Sequence, residues 1–309
     1  GDTKKQTSMQ NLAKFIQNDF WIFFIGGIIL GISAPEHSSS LRFLLEPALV
    51  LILLLVFLKL ELKEIFRGMK NWKLMSYLTF LFMIAIPVIT YFLFAFVDQT
   101  LAVGFLLLAA MPPGTATPAL TDLVKGNSSL SMSILIICCL LSPFTIPLLF
   151  QILPTETLNL ETGDMFWKLA MLIFIPLILS IPLKKYFNNT IQKAIPYFSA
   201  INVLIIFFFI YIAIGPESSF IISNIDQVIW QIVLLYVFFI VLHFIGYVTC
   251  FKKNKEDKIA ITVSNAYMNN GLAIILATLF FPTPIIILTV LSELPWCTLL
   301  GPFKKIMKQ

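Results

Sequence analysis

Apolar runs, each about as long as a membrane crossing, alternate along this chain with short clusters of lysine. An apolar helix rising about 1.5 Å per residue crosses a hydrocarbon layer of ~30 Å in about 20 residues. Such runs lie at about 20–35, 44–58, 74–97, 101–124, 130–150, 166–183, 195–214, 228–250, 258–280 and 284–301. With 59% hydrophobic and 12% charged residues, against about 25% charged in soluble domains, a chain of 309 residues holds more apolar surface than a soluble core could bury. The expected fold class is an all-α membrane protein of about ten transmembrane helices with the lipid bilayer as its solvent. Residues 1–19 are polar and are expected to form a cytoplasmic N-terminal segment. The first apolar run reads on as a span rather than as a cleavable signal peptide.

The basic residues test the count of spans. Lys4, Lys5 and Lys14 precede the first; Lys59, Lys63, Arg67, Lys70 and Lys73 follow the second; Lys125 follows the fourth. Lys184, Lys185 and Lys193 follow the sixth, Lys252, Lys253, Lys255 and Lys258 the eighth, and Lys304, Lys305 and Lys308 the tenth. That is 19 of the 21 basic residues; the other connections hold Arg42 and Lys168 among Glu36, Asp98, Glu156, Glu161, Asp164, Glu217 and Asp226. Lysine and arginine concentrate in cytoplasmic loops. Both termini are therefore expected in the cytoplasm, with the protein in a bacterial inner membrane. The net charge of +5 is then topological and implies no nucleic-acid partner. The oligomeric state is not legible. Cys138, Cys139, Cys250 and Cys297 lie in apolar runs without a ligand pattern and read as buried thiols, with no metal or cofactor implied.

The chain divides near residue 155 into two halves of five spans, 20–150 and 151–309. Five is odd, so the second half enters the membrane with the opposite orientation, which is the arithmetic of an inverted repeat. The fourth span of each half is broken. One holds Met111-Pro-Pro-Gly114-Thr115-Ala-Thr117-Pro118, and the other Ser264-Asn265-Ala-Tyr267-Met-Asn269-Asn270-Gly271. Proline removes an N–H and clashes with the preceding turn, so the first helix cannot continue through 112–118. Polar amides at membrane depth are costly unless they are buried in protein or line a cavity. One such break reads as a proline kink with interhelical amide contacts. Two at corresponding positions point to a transport site, where helix starts near Thr115 and Asn270 offer free N–H groups to an anion. The substrate-binding candidates are Gly114, Thr115, Thr117, Asn265, Asn269 and Asn270, with Thr298 from the tenth span.

These segments resemble the bile acid:sodium symporter family. The matching features are Pro113-Gly114-Thr115-Ala116, Lys125-Gly126-Asn127 with Ser128-Ser-Leu-Ser131, Ser142-Pro143 to Pro147, His243 with Gly246-Tyr247, Asn269-Asn270-Gly271-Leu272-Ala273, and Trp296 with Gly301. They run in order over the whole chain. The resemblance implies a panel domain of spans 1, 2, 6 and 7, a core domain of the other six with the broken helices 4 and 9 crossing inside it, and organic anions as substrates. It also implies two sodium sites, but their side chains are largely replaced. The glutamate of the ninth span is Ser264, the following glutamine Met268, a Ser-Asn pair Thr117-Pro118, a Ser and Thr one turn apart Ser131 and Leu135, and a glutamine of the third span Phe82. Thr117, Ser131 and Ser264 keep an oxygen, too few to replace the hydration of two ions, so sodium use is not expected.

Glu293 is the one acidic residue near the middle of a span. A carboxyl there serves as a proton-coupling group or replacement cation ligand, or else stays protonated and hydrogen-bonds a neighbouring helix. Pro295 nearby frees a backbone carbonyl for either role. His243 reads as a structural histidine or a proton relay. The ion-coupling candidates are thus Glu293, Ser264, Ser131, Thr117 and His243. The expected function is secondary transport of a small organic anion by alternating access, proton-coupled or uncoupled. A ligand-binding membrane sensor of the same fold is the alternative. No paired aspartates, hydrolase triad, HExxH or nucleotide loop suggests an enzyme.

Overall fold

The computed structural model describes residues 11–16, 19–59, 71–155 and 161–308. Most of the expected N-terminal segment, and Lys63, Arg67, Lys70 and Glu156 of the loops, lie outside the described residues. The described chain is mostly helical: α1 (Phe20–Ser33), α2 (Leu45–Lys59), α3 (Trp72–Ala95), α4 (Gln99–Ala109), α5 (Thr117–Leu123), α6 (Ser128–Ile152) and α7 (Thr162–Ile214). After these come α8 (Ser218–Ser223), α9 (Ile225–Thr249), α10 (Lys255–Ala266), α11 (Asn270–Phe280), α12 (Thr283–Leu291), α13 (Glu293–Thr298) and α14 (Leu300–Lys308).

Among the described residues, six helical stretches are long and apolar enough to cross a membrane: Ser39–Lys59, Trp72–Ala95, Ser128–Ile152, Thr162–Ser223, Ile225–Thr249 and Thr283–Lys308. The fourth of these runs for 62 residues, roughly 90 Å at helical rise and about three hydrocarbon thicknesses. It bends at Phe187, whose φ of −122° and ψ of 22° leave the helical region. The shorter apolar helices α1, α4 and α11 belong to runs that the sequence breaks with proline, glycine or asparagine.

The chain parts into two compact units. The first takes residues 1–60 and 172–223, the second 61–171 and 224–309. In the first, α1 packs on α7 through its glycines; a Cβ on Gly31 would lie 2.3 Å from Cγ2 of Ile214. Small residues allow this approach where no hydrophobic force drives helices together in lipid. Tyr211 donates its hydroxyl to the Ala34 carbonyl at 3.1 Å, and Arg42 pairs with Glu217.

In the second unit the in-helix prolines are handled locally. Pro143 cannot give an N–H to the Cys139 carbonyl four residues back, and the Ser142 hydroxyl donates to it instead at 2.8 Å. Pro87 follows a wide π turn at Leu81–Ala85, where a missing N–H eases the change of pitch.

Candidate functional site

The two broken spans meet backbone to backbone. Helix α4 ends at Ala109 and α5 begins at Thr117; α10 ends at Ala266 and α11 begins at Asn270. Between them Gly114 donates its N–H to the Tyr267 carbonyl at 2.7 Å, and Asn269 donates its own to the Pro112 carbonyl at 2.8 Å. Pro113 and Met268 face each other as an antiparallel bridge. In that pattern the central pair is the one that makes no mutual hydrogen bonds, so a proline without an N–H fits there at no cost. The bridged residues, Pro113 and Met268, are 155 positions apart. Gly114 is required by the approach: a Cβ would lie 2.9 Å from the Met268 oxygen and 3.0 Å from that of Tyr267.

Each break is closed by its own polar side chains. Thr117 donates its hydroxyl to the Gly114 carbonyl at 2.8 Å, the carbonyl that Pro118 cannot reach. Asn269 caps α11, its Oδ1 accepting from the Leu272 N–H at 3.1 Å. The far ends are tied as well. Asn127, after α5, donates Nδ2 to Asp257 at 2.8 Å and its backbone N–H to the Glu256 carbonyl at 3.0 Å.

At the start of α11 three amide atoms have no hydrogen-bond partner: Nδ2 of Asn269 and both Nδ2 and Oδ1 of Asn270. Both residues are buried. Native interiors pair most such groups, so these amides are open to a further partner. Glu293, also buried, is the group that interacts with the Asn270 side chain.

The other candidates distribute around this centre. Gly114 and Thr117 are buried in the crossing, and Thr115 is half-buried beside them. Ser131 of α6 and Ser264 of α10 are brought together, their hydroxyls 3.1 Å apart. Asn265 turns away to donate to the Leu242 carbonyl of α9 at 2.7 Å. Thr298 is exposed, bonded to Tyr236 at 2.8 Å and to the Leu294 carbonyl. His243 has partners on both ring nitrogens, the Phe239 carbonyl at 2.7 Å and the Tyr267 hydroxyl at 3.1 Å. Among the described residues no three His, Cys, Asp or Glu side chains gather as a metal site.

Sequence reasoning missed the backbone partners, the carbonyls of Pro112 and Tyr267, because side-chain chemistry says nothing of a carbonyl. It also passed over Thr121 of α5, whose hydroxyl is buried without a partner. A threonine amid an apolar run was the available signal.

A profile of the SBF-like CPA transporter family (DUF4137) matches residues 18–294. The chain belongs to the SBF-like CPA transporter family. It is an integral membrane transport protein, not an enzyme, and serves a small-molecule substrate. The chain is 27% identical over 285 residues to the Bacillus subtilis (strain 168) protein named uncharacterized sodium-dependent transporter YocS, covering 88% of this chain and 85% of that one. It is 25% identical over 186 residues to the rice (Oryza sativa subsp. japonica) protein named probable sodium/metabolite cotransporter BASS1, chloroplastic. That match covers 60% of this chain and 45% of the rice protein.

Proposed function

We propose that the protein is a secondary active carrier of a small organic anion, working by alternating access through ten spans arranged as two inverted repeats. The observation that carries this reading is the set of buried amide groups of Asn269 and Asn270 where the two broken spans cross, with hydrogen-bonding capacity to spare. Amide N–H donors at a helix start hold an anion without a full positive charge. The separation of 155 positions between the bridged Pro113 and Met268, about half the chain, supports the repeat. So does the division of the chain into one unit holding α1, α2 and most of α7, and another holding the crossing helices. A rigid unit rocking against another gives alternating access. Both termini face the cytoplasm of a bacterial inner membrane in this reading.

The carrier works without the two sodium sites of the bile acid:sodium symporters. The Ser131 and Ser264 hydroxyls share a hydrogen bond, Thr117 is spent on Gly114, and Phe82, Leu135 and Met268 are buried apolar side chains. A cation at membrane depth needs several oxygens and preferably a carboxylate to offset dehydration.

Purified protein in proteoliposomes, loaded with an unlabelled carboxylate, should exchange it for labelled carboxylate outside. A panel of small carboxylates and sulfonates, first ranked by thermal shift, supplies the probes. Binding without exchange for every anion that binds would refute the carrier.

A further inference from the structure

We propose that Glu293 and Asn270 form a proton-binding pair within the membrane, holding one exchangeable proton apart from the Ser131–Ser264 position. The inference deepens the carrier reading by naming its coupling group, yet its test uses no carried anion, so either can fail while the other stands. Asn270 is 3% and Glu293 5% exposed. The Glu293 carboxyl interacts with the side-chain amide of Asn270, and neither amide atom has another hydrogen-bond partner. An ionised carboxylate could accept from Nδ2 but would set acceptor against acceptor at Oδ1. A protonated carboxyl answers both atoms: its O–H donates to Oδ1 and its carbonyl oxygen accepts from Nδ2, closing a ring of two hydrogen bonds. The proton comes from water and returns there; no other bond is made or broken.

The position gives that proton a consequence. Asn270 is the first residue of α11 and follows Asn269, whose N–H is bonded to the Pro112 carbonyl in the crossing. The second hydrogen on Nδ2 remains for an anion, alongside the Nδ2 of Asn269. A neutral Glu293 leaves such an anion without a like charge, whereas an ionised one repels it through a poorly screening interior. Proton and anion therefore favour each other's binding, and by linkage the effect is reciprocal.

The titratable groups around Glu293 supply no other partner for the Asn270 amide. Cys297 lies one turn on in α13. Just after α10 comes Tyr267, engaged with His243. From α9 come His243, with both nitrogens used, and Tyr236, bonded to Thr298. Helix α14 brings Lys304, Lys305 and Lys308, while α11 and α12 bring no titratable side chain.

The test is infrared difference spectroscopy of the protein in lipid nanodiscs, with no organic anion present, titrated across about pH 5 to 9. The expected result is a protonated-carboxyl stretch that grows as pH falls and moves when the wild-type protein carries 13C-glutamate. It should be missing in Glu293→Gln. In Glu293→Asp it should persist but no longer respond to the glutamate label. In Asn270→Leu it should move to higher frequency, having lost the Nδ2 donor. The labelled wild type decides the matter even where a variant fails to fold: no titrating glutamate band in that range overturns the exchangeable proton. A band that ignores Asn270→Leu overturns the pair.

Discussion

The backbone N–H of Gly114 is bonded to the carbonyl of Tyr267 across 2.7 Å, and no side chain fits between them. A methyl group at position 114 would press on two carbonyl oxygens at 2.9 and 3.0 Å, which only backbone movement can relieve. Gly114→Ala should therefore cost about 1–3 kcal/mol, the usual penalty of overpacking, and should abolish exchange by parting the breaks. Thermal unfolding of the detergent-solubilised protein reads the first effect and proteoliposome exchange the second. An unshifted melting temperature would contradict the crossing geometry.

Asn269 has two duties that substitution can separate. Asn269→Asp keeps the oxygen that caps Leu272 and places a negative charge at a helix start, where it is tolerated. It loses the unpaired donor and repels an anion. Binding of the anion selected by thermal shift should fall on the order of tenfold or more, about 1.4 kcal/mol, with stability unchanged. Asn269→Leu removes the cap as well, so it should also lower stability by about 1 kcal/mol. Equal binding by wild type and Asn269→Asp would remove the anion from this place.

The contact between Ser131 and Ser264 predicts the response to sodium. Uptake measured with choline replacing sodium should stay within about twofold, because two neutral hydroxyls offer a cation too little negative charge. Ser264→Ala should cost about 1 kcal/mol of stability, one buried hydrogen bond, and leave that response alone. A steep, saturable sodium requirement with a Hill coefficient near two would sink the proposal.

Uptake should depend on pH in a definite direction. Protonation of Glu293 removes a negative charge beside the anion, so uptake should rise as external pH falls from about 8 to about 5.5. Glu293→Gln, which is permanently neutral, should bind the anion at every pH in that range with no pH response. Pumping against a gradient should be lost, leaving exchange. Persistence of the wild-type pH profile in Glu293→Gln would exclude this residue as the coupling group.

Topology is open to a direct check. In a cysteine-free background, Thr157→Cys and Asn188→Cys flank the sixth apolar run. A membrane-impermeant maleimide added outside intact cells should label the first and spare the second. Labelling of both, or neither, from outside would break the count of ten spans.

Much of this protein is legible in its sequence because lipid imposes a one-dimensional constraint. A run such as 228–250 must be a helix, since hydrocarbon offers its backbone no other hydrogen-bond partner, and α9 spans Ile225–Thr249. Pro112, Pro113 and Pro118 likewise forbid a continuous helix wherever they occur, and the break between Ala109 and Thr117 follows from local sterics. Asn269 and Asn270 stood out for the same reason, polar side chains in an apolar run.

What the tertiary structure alone decided is which polar groups meet. Asn265 and Asn270 are alike on paper. The approach of α9, close enough that a Cβ on Gly246 would lie 2.7 Å from the Thr262 Cα, gives Asn265 the Leu242 carbonyl as a partner. Asn270 is left with Glu293 as its one side-chain neighbour for hydrogen bonding. Thr298 lies within the last span of the sequence, yet helix rotation carries it to the surface, against Tyr236. Residue type and spacing set the cost of burying a group. Helix rotation, crossing distance and the pairing of two distant backbones settle whether that cost is met, and these depend on residues some 155 positions away.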